Sequence, residues 1–149
     1  MKLNDCVALV LKQKGAAVFC IEPDVTVYEG LVRMAEKDIG ALVVTRESKV
    51  VGIFSERDYV RKVILKGRSS KELKVHEIMS SPAPTVTSST TVDECMRRIT
   101  DERVRHLAVL EEGKLVGVVS IGDLVNWIIT SQDRTIHQLE DYITGRYPA

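Results

Sequence analysis

The spacing of apolar residues along this chain switches between strand-like and helix-like periods, and the whole series of switches occurs twice. Residues 17–21 read as a strand closed by Pro23-Asp24. Thr26-Val-Tyr-Glu29 has the S/T-x-x-E form that opens a helix, and Val27, Leu31, Met34 and Ala35 then fall on one helical face. Gly40 is the expected stop. Two β-rich runs, residues 41–45 and 50–54, flank a polar turn at 46–49, and Ser55-Glu-Arg-Asp58 opens a second helix running to about Lys66. The second half repeats the order. A strand at 85–87 leads to Thr91-Val-Asp-Glu94 and a helix to about Glu102. Strands at 106–110 and 115–119 follow, and Ser120-Ile-Gly-Asp123 opens a last helix to about Ser131.

The recurrence extends to residue identity. Residues 21–64 align without a gap on residues 86–129, with matches that include Thr26/Thr91, Glu29/Glu94, Gly52/Gly117, Ser55/Ser120 and Asp58/Asp123. A period this long marks a supersecondary unit that must stack on its twin to bury its apolar face. Each unit is β-α-β-β-α, an α+β class. Helices on one face of a sheet leave the other face uncovered, so the two copies are expected to pack sheet to sheet about a pseudo-twofold axis. The resulting division is an N-terminal helix in residues 1–16, a first repeat in 17–66, a linker in 67–81, a second repeat in 82–131 and a tail in 132–149. Asn4 or Asp5 is the expected cap of the N-terminal helix, and Gly15 its end. In the tail, Ile136, Leu139, Tyr142 and Ile143 predict a short amphipathic helix.

Charge and composition narrow the function. Lys plus Arg equals Asp plus Glu at 21 each, and a neutral chain lacks the basic surface that general nucleic-acid or anionic-membrane binding requires. No apolar run approaches the roughly 18 residues that span a bilayer, and the N-terminus has no signal-peptide layout, so a cytoplasmic location is expected. Cys6, Cys20 and Cys95 have no metal-ligand spacing and are expected as buried apolar residues, with no metal site. No Walker loop and no distinctive nucleophile-base series is present, so no catalytic residue is assigned.

The chemistry concentrates in Gly52-Ile-Phe-Ser-Glu-Arg-Asp58 and its twin Gly117-Val-Val-Ser-Ile-Gly-Asp123, both at a strand-to-helix turn. Free backbone N–H groups and the helix dipole favour a phosphate there. The Ser hydroxyl can donate to phosphate, and the Asp can accept from the two hydroxyls of a ribose. Ser-x-x-Asp is equally a helix cap. The use of Asp twice, where the other helices use the longer Glu, suggests a task beyond capping.

Those two segments, the paired T-V-x-E helix starts and Val104-Arg-His-Leu-Ala-Val-Leu110 together resemble a CBS-domain pair, or Bateman module. The resemblance covers nearly all of residues 17–131, with Ala108 where the family usually has proline. The tail Thr135-Ile-His-Gln-Leu-Glu-Asp-Tyr-Ile-Thr-Gly145 is similar to small stand-alone bacterial two-CBS proteins.

The resemblance implies an adenosine ligand (AMP, ADP, ATP, S-adenosylmethionine or NAD(H)) in clefts between the repeats, and no catalytic cofactor. In one cleft Asp58 would hold ribose, with Ser55 and Arg57 near phosphate. Thr85, Val86 and Val104 would lie against adenine, and Arg105 and His106 would reach the phosphate. In the other, Asp123 would hold ribose and Ser120 phosphate, while Val18, Ile39, Gly40 and Ala41 line the base and Gly122 leaves room. The first cleft is expected to prefer the more highly charged ligand, and the second to be less obstructed but poorer in cations. The implied function is a nucleotide-binding sensor, not an enzyme, that forms a homodimer and signals to an unidentified effector protein. Leu31, Val60, Ile64, Leu124, Val125, Ile128 and the tail helix are the candidate dimer surfaces. The alternative is a ligand-free dimerisation module, and a phosphoryl-transfer or hydrolytic enzyme is less favoured.

Overall fold

Each half of the chain builds one three-stranded sheet with helices packed on it, and the two halves use the same wiring. The computed structural model describes residues 2–15 and 17–130. Helix α1 is Val7–Lys14. The first repeat comprises β1 (Cys20–Ile21), α2 (Val27–Lys37), β2 (Ala41–Arg46), β3 (Lys49–Ser55) and α3 (Glu56–Lys62). The second comprises β4 (Thr85–Thr87), α4 (Val92–Glu102), β5 (His106–Glu111), β6 (Lys114–Ser120) and α5, residues 121–130. In each, the first strand runs parallel to the second across a helical crossover, and the second and third form an antiparallel hairpin. Even the irregularities match, since both hairpins shift register at equivalent points, between Val44 and Thr45 and between Val109 and Leu110.

Two hydrophobic cores result, one per repeat. The first gathers Ile21, Val27, Met34, Leu42, Val44 and Phe54, and the second Val86, Val92, Cys95, Ile99, Leu107, Val109, Val119 and Leu124. Each is completed by a segment from outside its own repeat. Leu73, Val75 and Ile78, from the linker preceding the second repeat, are buried in the first core. Val7 and Val10, from the helix preceding the first repeat, are buried in the second. The docking is the same in both places. Val27 N–H donates to Leu73 O, and Thr26 bridges Lys74; Val92 N–H donates to Asp5 O, and Thr91 bridges Cys6. Burying two valines fully contributes roughly 3–6 kcal/mol, so α1 is a fixed part of the second repeat.

Several local expectations are corrected. Only Cys20–Ile21 of residues 17–21 pair as strand. Helix α1 is capped at Cys6 without a side-chain bond. Asp5 is committed elsewhere, its carbonyl to Val92 and its carboxylate to the Trp127 indole N–H at 3.2 Å. Helix α2 ends at Asp38 in the left-handed region (φ 53°), a conformation that Asp tolerates, rather than at Gly40. Helix α3 stops at Lys62, and a single 3-10 turn, Ile64–Lys66, leads to Gly67. Cys95 is buried, with its thiol pushed up to about 11 by desolvation and then by Glu94, but Cys6 and Cys20 are exposed. Of the surface candidates, Leu124 is fully buried, and Leu31 and Ile128 pack against the cores. The expected tail helix lies outside the described residues. Among those residues no helix is long and apolar enough to cross a membrane.

Candidate functional site

Where β3 passes into α3, the chain must satisfy the first amides of a helix, and Ser55-Glu-Arg-Asp58 does so reciprocally. Asp58 N–H donates to Ser55 Oγ at 3.2 Å, and Ser55 N–H donates to Asp58 Oδ2 at 2.9 Å. The twin does the same: Asp123 N–H donates to Ser120 Oγ at 3.1 Å, and Ser120 N–H to Asp123 Oδ2 at 2.8 Å. This corrects the sequence argument. It is the shorter Asp that closes the capping box, whereas Thr26 accepts from Glu29 N–H and the Glu29 carboxylate turns to Arg33 at 3.3 Å. Capping accounts for one oxygen of each Asp and leaves the other.

Asp58 lines a cleft of about 680 Å³, within the usual range for small-ligand sites, together with Ser80 and Lys62, the partners of its second oxygen. Asp58 is buried, the one charged side chain in that class among the described residues. Its Oδ1 meets Ser80 Oγ at 3.4 Å and Lys62 Nζ at 3.5 Å, both long contacts. The walls carry Arg57, Arg61, Arg103 and Arg105. Arg57 is held against the other repeat by donating to Arg103 O at 3.1 Å. Its guanidinium is pushed down by desolvation and then by Arg61 and Arg105, against the pull of Asp58. Cations crowded to the point of mutual repulsion are relieved by an anion.

The Asp123 cleft is smaller, about 450 Å³, which reverses the expectation of less obstruction. One reason is Lys14, which the sequence reading did not place there. Its ammonium donates to Asp123 Oδ2 at 2.7 Å and to Val118 O at 2.8 Å. Burial pushes the Asp123 carboxyl up, but the Lys14 bond and the Ser120 amide outweigh it and the net direction is down. The cleft is still poorer in cations than its twin, as expected.

The structure brings Ser55, Arg57, Asp58, Val104, Arg105 and His106 to the first cleft and Val18, Ile39, Gly40, Ala41, Ser120 and Asp123 to the second. Three residues fall elsewhere. Val86 points into the second core, the Thr85 carbonyl accepts from Arg98, and Pro84 lines the wall in their stead. Gly122 sits on the exposed start of α5, outside the lining. Gly40 and His106 line both clefts, so the two sites share a wall. The His106 imidazole is pushed down by burial and Lys14, while Asp123 pulls it up; Arg105 and Asp58 act in the same opposed senses.

A family model described as CBS domain matches residues 16–65 and 75–130, one match on each repeat. This chain belongs to the CBS-domain family. It is 38% identical over 148 residues to the CBS domain-containing protein CBSX3, mitochondrial, of Arabidopsis thaliana, covering 93% of this chain and 71% of that one. A solved CBS-domain protein from Burkholderia ambifaria MC40-6 superposes with a TM-score of 0.82 at 45% identity, over 86% of this chain and 96% of that one. The hexameric CBS-CP12 protein from bloom-forming cyanobacteria superposes at 0.75 with 26% identity, over 83% of this chain and 67% of that one. The pair of repeats, the α+β class and the CBS fold inferred from sequence therefore hold.

Proposed function

We propose that this CBS pair is a non-catalytic regulatory module that binds adenosine-bearing ligands, such as AMP, ATP or NAD(H), in its two inter-repeat clefts. The observation that carries this reading is Asp58. A buried carboxylate is retained only when something partners it. The helix cap engages Oδ2, while Oδ1 meets two cleft-lining groups at 3.4 and 3.5 Å. A ribose diol suits this acceptor, whose contacts to Ser80 and Lys62 are long, and the neighbouring guanidiniums suit a phosphate chain. A ligand spanning both repeats shifts their relative arrangement only by binding one arrangement more tightly, which is how occupancy becomes a signal. The exposed apolar residues Val60, Ile64 and Leu65, with Ile121, Val125 and Ile129 on α5, suit a second copy of the chain.

The second reading, a ligand-free dimerisation module, draws on the completed capping boxes and the same apolar surface. Calorimetric titration with AMP, ATP and NADH separates the two. The ligand-binding reading expects saturable binding and ligand recovered unchanged. It also expects Asp58→Asn to weaken one site roughly 10- to 100-fold, the factor for losing about 1.5–3 kcal/mol of charge-assisted hydrogen bonding. No binding of any of these compounds leaves the structural reading standing, whereas full affinity in both Asp58→Asn and Asp123→Asn refutes the assignment of ribose to the two acids.

A further inference from the structure

The exchanged segments bring different chemistry to the two acids. In the first cleft Ser80 pairs with Ile53 through both backbone groups, and its hydroxyl donates to Asp58 Oδ1 at 3.4 Å. Val118 is the repeat equivalent of Ile53, and there the carbonyl accepts from the Lys14 ammonium at 2.8 Å. The same ammonium donates to Asp123 at 2.7 Å. The exchanged segment thus brings a neutral hydroxyl to Asp58, whose nearest ammonium is Lys62 of its own helix at 3.5 Å, and a full positive charge at 2.7 Å to Asp123. Lys14 is the last residue of α1, which is anchored by buried Val7 and Val10, and its side chain remains 38% exposed.

An ammonium carries three protons, and two are used here, so one donor remains for a ligand. The charges lining this cleft are Lys14, Asp38 and Asp123, with His106 as the titratable neighbour. Without Lys14 the lining holds two carboxylates and no permanent cation, an environment that repels phosphate. With Lys14 in place, an uncharged nucleoside meets Asp123 with an acceptor position already taken, whereas a nucleotide gains the ammonium for its phosphate.

We propose that Lys14 sets the ligand preference of the Asp123 cleft, favouring a phosphate-bearing adenosine compound over the uncharged nucleoside. The inference rests on the nucleotide-binding reading above. The test titrates AMP and adenosine into the full chain carrying Asp58→Asn, which weakens the first cleft while keeping an oxygen for the Ser55 amide, alone and combined with Lys14→Met or Lys14→Arg. Thermal melts confirm folding of each. The expected result is that Lys14→Met lowers the AMP-to-adenosine affinity ratio roughly tenfold, the size of one charge-assisted hydrogen bond. Lys14→Arg retains the ratio. An unchanged ratio, or equal weakening of both ligands, overturns the inference and leaves Lys14 as a structural partner of Val118 O and Asp123. If the unmodified chain binds neither compound in either cleft, the nucleotide reading itself fails and the inference falls with it.

Discussion

Gly52 and Gly117 occupy equivalent positions in the two repeats, yet the same substitution should cost them unequally, because each exchanged segment presses a different atom on them. A Cβ built on Gly52 lies 2.6 Å from Met79 Sδ and 2.8 Å from Ser80 O, where ordinary contact begins at 3.4 Å. Met79 can rotate away. Ser80 O cannot retreat without stretching its bond from Ile53 N–H (3.1 Å) and the return bond from Ser80 N–H (2.9 Å). A Cβ on Gly117 meets Leu11 Cδ1 and Cδ2 at 2.7 Å, the far end of a flexible side chain. Overpacking costs about 1–3 kcal/mol, and each strained hydrogen bond adds about 0.5–1.5 kcal/mol. The lower unfolded-state entropy of alanine offsets about 0.4–1 kcal/mol. The net expectation is a loss of about 2–3 kcal/mol for Gly52→Ala and about 1 kcal/mol for Gly117→Ala.

Urea unfolding followed by circular dichroism measures both, with an unchanged slope as the control for two-state behaviour. Adding Leu11→Ala to Gly117→Ala removes the clashing atoms, so the double variant should cost about 1 kcal/mol less than the sum of the singles. Equal losses at the two glycines, or strict additivity in the double variant, would refute the seating of residues 5–11 on the second repeat and 73–79 on the first.

Ser48 holds a positive φ of 66° at the hairpin position where the second copy has Gly113, so Ser48→Gly should raise stability by about 0.5–1 kcal/mol in the same unfolding assay. His106, faced by Lys14, Arg105, Asp123 and Asp58, has its imidazole pushed below the ordinary 6.5 in the folded protein. The unfolded chain then binds the proton more readily, so stability is highest above pH 6.5 and declines as pH falls below it; His106→Gln should flatten that decline in melts between pH 5 and 8.

The repeat made the fold legible, because a gapless alignment fixes five elements twice and their order admits one wiring. It hid the exchange of segments. Val7, Val10 and Leu11 match Val75, Ile78 and Met79 at an offset of 68, not 65, so the same alignment could not pair them. Their shared spacing of apolar residues was the available signal. Val86 was misplaced because strand side chains alternate faces, and with Thr85 as its neighbour the pattern alone does not say which points inward. Lys14 was beyond reach for a different reason. A lysine at a helix end reads as solvated, and only tertiary packing brings it to a carbonyl and a carboxylate more than a hundred residues away.

The duplication also explains why the two clefts are unequal. At equivalent positions the first copy has Gly40-Ala41 and the second Arg105-His106. A Cβ on Gly40 would lie 4.0 Å from both His106 Nε2 and the Glu56 carboxylate, so the small residue of one copy and the imidazole of the other lie side by side. His106 at this shared wall feels the fields of Asp58 on one side and Asp123 on the other. On the proposed ligand-binding reading, a charged ligand in either cleft would alter the field at His106, a group that the other cleft also sees.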